Sequence, residues 1–150
     1  MVSRSAEGAE GTPFEIVVEQ GKIAEFARAV QAHDLAEHHG ADAVSPPTFL
    51  TTQFFWEERV DGANPWSLVE MSQERGMHAE QAYVFHGPPP QAGERLVATS
   101  RVTRMWDKES RSAGTLTFVE MVTEFRDAAG TLRATATLTG VETGKPPEVA

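Results

Sequence analysis

Three histidines and two aspartates crowd one short stretch of this chain: His33, Asp34, His38, His39 and Asp42, between Ala32 and Val44. A histidine titrates near neutrality, and an aspartate beside it can hold the imidazolium it becomes. Such a pair moves protons, as any step that activates water requires. A polar loop in which the two types meet by chance has the same composition. A second group, His78, Glu80 and His86, has even spacing, so a strand there puts all three on one face. That reads first as a sheet face near water or a subunit seam, and second as a substrate contact. A basic run, Arg95, Arg101, Arg104, Lys108 and Arg111, is ordinarily a solvated strand face. Its sharper reading is a seat for a phosphorylated ligand. With no Cys and no helical His-x-x-x-His spacing, no metal site is expected.

The elements that must hold these residues follow from periodicity. Phe14 to Val18 reads as an edge strand. Glu19 to Gln31 reads as a helix, with Ile23, Phe26, Ala27 and Val30 on one face. Ser45-Pro46-Pro47-Thr48 marks a helix start, because Pro is tolerated in the first turn and Ser or Thr caps. The helix is expected from about Pro47 to Arg59. Phe49, Leu50, Phe54, Phe55 and Trp56 cover most of its circumference, which predicts burial on all sides. Trp66 to Glu74 is ambiguous. Met77–His86, Arg95–Trp106, Gly114–Arg126 and Leu132–Glu142 read as antiparallel strands, the last two joined by a turn at Asp127-Ala128-Ala129-Gly130. The result is an α+β chain whose sheet buries one face on an apolar helix. Cystatin-like folds share that order.

The 150 residues suit one domain, expected over residues 13–143 between a flexible lead (1–12) and a loose tail (144–150). A formal net charge of −9 disfavours nucleic acid as a partner. No stretch reads as a signal peptide or membrane span, so the cytoplasm is the expected compartment.

Four blocks carry a family resemblance: FEIVVEQGKIAEFARAV at 14–30, SPPTFL at 45–50, HAEQAYVFHGPPPQAGERL at 78–96, and GTLTFVEMVTEFRDAAGTLRATATLTGV at 114–141. In this order and spacing the chain resembles the MaoC-like hot dog dehydratases, especially the N-terminal-type domain related to the dehydratase part of type I fatty acid synthase. The resemblance implies a hot dog fold, an antiparallel sheet wrapped around a long apolar central helix. It implies hydration of trans-2-enoyl thioesters, or loss of water from 3-hydroxyacyl thioesters. The substrate would be carried on coenzyme A or acyl carrier protein, with no further cofactor. It also implies a homodimer, or a heterodimer with another MaoC-like subunit.

Active members carry Asp-x-Asn-Pro-x-His before the central helix. Asp34 and His39 keep its i, i+5 spacing and are the expected catalytic pair, although Leu35, Ala36, Glu37 and His38 stand between them and Asn-Pro is missing. Backbone N–H groups at the helix start, beside Pro47 and Thr48, would receive the thioester oxygen as it gains negative charge. His78, Glu80, Arg101 and Arg104 are the further expected substrate contacts, the arginines serving a phosphorylated carrier. Because many domains of this type lack the catalytic pair, a silent substrate-binding subunit is the alternative function. Hydrolysis of the thioester is a weaker one.

Overall fold

The computed structural model describes residues 1–145. Five strands, β1 (Phe14–Val17), β2 (Gly76–Phe85), β3 (Arg95–Ser110), β4 (Gly114–Arg126) and β5 (Leu132–Thr143), form one antiparallel sheet in the order β1-β3-β4-β5-β2. The β4–β5 turn forms where expected. Asp127 Oδ1 accepts from the N–H groups of Ala129 and Thr131, and Gly130 supplies a φ of +82° that other residues adopt only with strain.

Pairing register divides the sheet into two faces. Ala98 opposes Phe125, Ser100 opposes Thr123, and Phe125 and Thr123 oppose Ala134 and Ala136. These residues are all buried and make the inner face. One core cluster joins Phe14, Ile16, Leu96, Ala98 and Phe125 to Ile23, Phe49, Leu50 and Trp56 above them. A second occupies the other end of the inner face, with Val102, Met105 and Val119 under Val2, Ala6 and Val69.

Helix α1 (Gln20–Ala29) buries Ile23, Ala24 and Ala27. It stops two residues before the expected Gln31 for a local reason. Gln31 turns left-handed at φ 55°, Ala32 N–H bonds the carbonyl of Ala27, and Gln31 N–H bonds that of Arg28. This closes the helix and starts the histidine-rich loop.

The long central helix expected over Pro47–Arg59 is not what forms. A 3-10 segment, Phe49–Gln53, runs into a single α-helical turn, α2 (Phe54–Glu57). Phe49 N–H bonds Pro46 O and Thr51 N–H bonds Thr48 O, the tighter i→i+3 pattern. The adjacent β-branched Thr51 and Thr52 favour an α-helix weakly. The segment is also two-faced rather than buried all round. Phe49, Leu50, Thr52, Gln53, Trp56 and Glu57 face inward, whereas Phe54 and Phe55 are 48% and 50% exposed. Backbone geometry, not side-chain hydrophobicity, decided which residues turned in.

The expected flexible lead is also corrected. Gly8 and Gly11 donate to the carbonyls of Val102 and Ser100, and Val102 donates back to Ala9. Residues 8–11 thus continue the place of β1 along the edge of β3. A Cβ on Gly11 would stand 2.0 Å from the carbonyl oxygen of Ala63, so only glycine allows this approach. Backbone pairing of small residues leaves no hydrophobic periodicity to read. Of the expected loose tail, Gly144 and Lys145 form a bend, and residues 146–150 lie outside the described residues.

Candidate functional site

The histidine loop folds as one 3-10 turn, Leu35–His38, capped by Asp34, whose Oδ1 accepts from Ala36 N–H at 3.1 Å. His38 Nδ1 lies 2.6 Å from the carbonyl of Val44 and ties the loop's two ends together. An open cleft of about 580 Å³ lies between this loop and the start of the 49–57 segment, lined by His33, Asp34, His38, Pro46, Pro47 and Thr48, among others. Asp34, Pro47 and Thr48 thus line the same cleft. His39 is exposed and does not line the cleft, and no hydrogen bond or ion pair joins it to Asp34 among the described residues. Asp34 already spends one oxygen on its cap. Thr48 occupies the cap position of its segment without a side-chain hydrogen bond, so the capping expected of it does not occur.

A second cavity, of about 460 Å³, opens at the other end of the 49–57 segment. Its walls include Phe54, Trp66, Met71, Met121 and Leu138, with Asn64, Glu70 and His78 among the polar lining. Trp66 lies across Gly140, where a Cβ would come within 2.7 Å of the indole ring. Asn64 starts the Pro65–Val69 turn, its Oδ1 accepting from Trp66 N–H at 2.9 Å.

His78 enters this wall because of an irregularity that even spacing does not reveal. The β2–β5 register shifts between His78 and Glu80, so their partners are the consecutive Gly140 and Thr139. His78 thus takes the inner face and Glu80 the outer one. The expected shared face for His78, Glu80 and His86 does not exist. A second bulge, between Val102 and Arg104, returns Arg101 and Arg104 to one face, opposite Val122 and Glu120. That is the outer face, so neither arginine reaches the cleft or the cavity. Arg104 stacks 4.6 Å over Trp106, which stacks on Phe118 at 5.1 Å. Among the described residues, no group of three or more His, Asp or Glu is placed to hold a metal ion.

Sequence reading missed the polar side chains beneath the 49–57 segment. Gln53 and Glu57 are buried, and Gln53 Oε1 and Glu57 Oε1 have no hydrogen-bond partner. The other Glu57 oxygen accepts from Asn64 Nδ2 at 3.3 Å, and burial pushes the Glu57 carboxyl up to about 7. The signal was present as an i, i+4 polar pair inside an apolar segment. Gln53, Thr51, Gln81, Tyr83 and Thr123 line a small inner cavity of about 20 Å³. It shares Phe54, Met121 and Leu138 with the larger one.

Residues 5–136 match the profile of the FAS1-like dehydratase domain region. The chain belongs to this family. No curated protein matches it significantly. Solved structures share its fold, and several are named MaoC-like dehydratase. The C-terminally truncated HadBC (3R-hydroxyacyl-ACP dehydratase) complex from Mycobacterium tuberculosis is similar at 23% identity and a TM-score of 0.64, over 91% of this chain and 96% of that one. A protein named MaoC-like dehydratase is 24% identical with a TM-score of 0.71, over 92% of this chain and 42% of that one. The ChsH1-ChsH2 complex from Mycobacterium tuberculosis is 13% identical with a TM-score of 0.70, over 97% of this chain and 89% of that one. Within this FAS1-like dehydratase fold, the short 49–57 segment stands where a long central helix was expected.

Proposed function

We propose that this chain serves a MaoC-type hydratase or dehydratase reaction on acyl thioesters, as the subunit that holds the acyl group. The observation that carries this reading is the cavity of about 460 Å³ between the 64–73 stretch and the inner sheet face, walled by Phe54, Trp66, Met71, Met121 and Leu138. Burial of an alkyl chain there is favourable by about 0.8 kcal/mol per methylene. Family membership supports the reaction class. Two of the similar structures are two-chain complexes by name, which supports a partner subunit. The thioester's carrier, coenzyme A or acyl carrier protein, arrives with the substrate, and the proposed reaction draws on no other cofactor.

A second reading, catalysis by this chain itself, is favoured by the cleft that places Asp34 beside Pro47 and Thr48. There His39 would have to swing in to share water with Asp34, and N–H groups after Pro47 would receive the thioester oxygen. Pure protein incubated with a short trans-2-enoyl-CoA, with and without a co-expressed MaoC-like partner, separates the two. The first reading expects binding alone and loss of the conjugated absorbance only with the partner, unchanged by His39→Ala or Asp34→Asn. The second expects turnover without a partner, lowered roughly 10²–10⁴-fold by His39→Ala. Release of free thiol would instead indicate hydrolysis, and absence of thioester binding would overturn the first reading.

A further inference from the structure

Gly140 stands in the interior of β5 without a positive φ, so other residues could adopt its backbone conformation. Space calls for glycine there. A Cβ would stand 2.7 Å from the Trp66 indole and 3.2 Å from Met71 Cε. Pairing register places this contact along the sheet. Leu138 opposes Met121 on the inner face, and both line the cavity of about 460 Å³. One step on, Gly140 opposes Val119, which is fully buried in the second core cluster. Trp66 and Met71 belong to both sides: they line the cavity, and they pack against that cluster. The indole is thus the wall at which the cavity stops and the core begins. Its backbone is fixed by the turn that carries it, where Asn64 Oδ1 accepts from Trp66 N–H at 2.9 Å and Pro65 opens the turn.

Resting on the acyl-holding reading above, we propose that Trp66, seated on Gly140, is the chain-length gauge of this cavity. An acyl chain laid over Leu138 and Met121 extends until it meets the indole. Each methylene up to that point leaves water for an apolar wall and strengthens binding. A methylene beyond it must displace a ring backed by close-packed residues, or turn back into water, and adds little. Gly140 acts through Trp66 and is a positioning residue: its missing side chain lets the indole lie against the sheet.

Saturated straight-chain acyl-CoAs, from butyryl to dodecanoyl, provide the test by calorimetric titration, since they bind without being hydrated. Affinity of the parent should rise roughly fourfold per methylene and then level off at one chain length. Trp66→Ala should move that break to longer chains. Gly140→Ala should move it to shorter ones, because the added methyl lifts the indole off the sheet and into the cavity. The two substitutions together should behave as Trp66→Ala alone, since no ring is left to lift. Should Trp66→Ala fail to fold, Trp66→Leu keeps the wall apolar and should lengthen the limit by less. A parent series without a break would overturn the gauge. So would a break that stays put in the Trp66 variants, or one that Gly140→Ala leaves in place or lengthens; in each case the acyl-holding reading stands. If no acyl-CoA of any length binds, the acyl-holding reading itself falls.

Discussion

Glu57 sits at 3% exposure with one oxygen held by Asn64 and the other without a partner. Removing a carboxylate from water disfavours its charged form, which is why its pKa moves from 4.5 to about 7. The folded state therefore binds this proton more tightly than the unfolded chain. Stability from this group is greatest below pH 4.5, falls as pH rises towards 7, and levels off above it. The full difference is about 3 kcal/mol. Glu57→Gln is neutral at every pH and keeps a donor and acceptor near Asn64. Urea unfolding should find this variant more stable than the parent at pH 8, with little difference at pH 4.5. Parallel pH profiles for the two proteins would show that Glu57 is not buried as described. At this scale the sequence was partly legible: Gln53 and Glu57 stood as an i, i+4 polar pair inside an apolar segment, whereas no spacing rule foresaw that Asp34 would line a cleft that His39 does not.

The 49–57 segment shows how an element can be placed correctly and shaped wrongly. Its position over the sheet followed from composition, but its 3-10 winding put Phe54 outside and Gln53 inside. Phe49 is fully buried and meets Phe26 edge-on at 5.7 Å. Phe49→Ala should destabilise the protein by about 3–5 kcal/mol, the usual cost of emptying a buried aromatic site. Phe54→Ala should cost under about 1 kcal/mol, because half of its ring is already in water. Denaturant midpoints of both variants check the contrast; equal costs would restore the uniformly buried helix. Strand bulges belong to the same lesson. Period-2 alternation identified every long strand, yet one extra residue reversed the faces assigned to His78 and brought Arg101 and Arg104 together.

Across the whole molecule, the two sheet edges are treated differently. Residues 8–11 and β1 cover the edge of β3, whereas β2 ends the sheet on the other side. Met77 and Val84 on β2 are 56% and 53% exposed. A ten-residue edge strand that, among the described residues, pairs with another strand on one side only and carries exposed apolar side chains invites a second chain. Light scattering should report a dimer, either of this chain alone or with a MaoC-like partner. Charged substitutions at Met77 and Val84 should shift it towards monomer without unfolding it. A monomer in the presence of such a partner would leave the β2 edge without the role argued for it.

The sequence alone determined the order and class of the elements, because helix and strand periodicities and turn chemistry are local. Phe14–Val17, α1, the four long strands and the Asp127–Gly130 turn were all readable from neighbours within a few residues. The ordered blocks at 14–30, 45–50, 78–96 and 114–141 likewise pointed to the family that residues 5–136 match. Only the tertiary structure decided which residues of β2, β3 and the 49–57 segment face the core. That outcome depends on register shifts, on the winding of the 49–57 segment, and on backbone pairing by Gly8 and Gly11, none of which leaves a periodic signature. The buried Gln53 and Glu57, and the cavities beside them, exist because distant strands closed beneath a short helix, which no local pattern encodes.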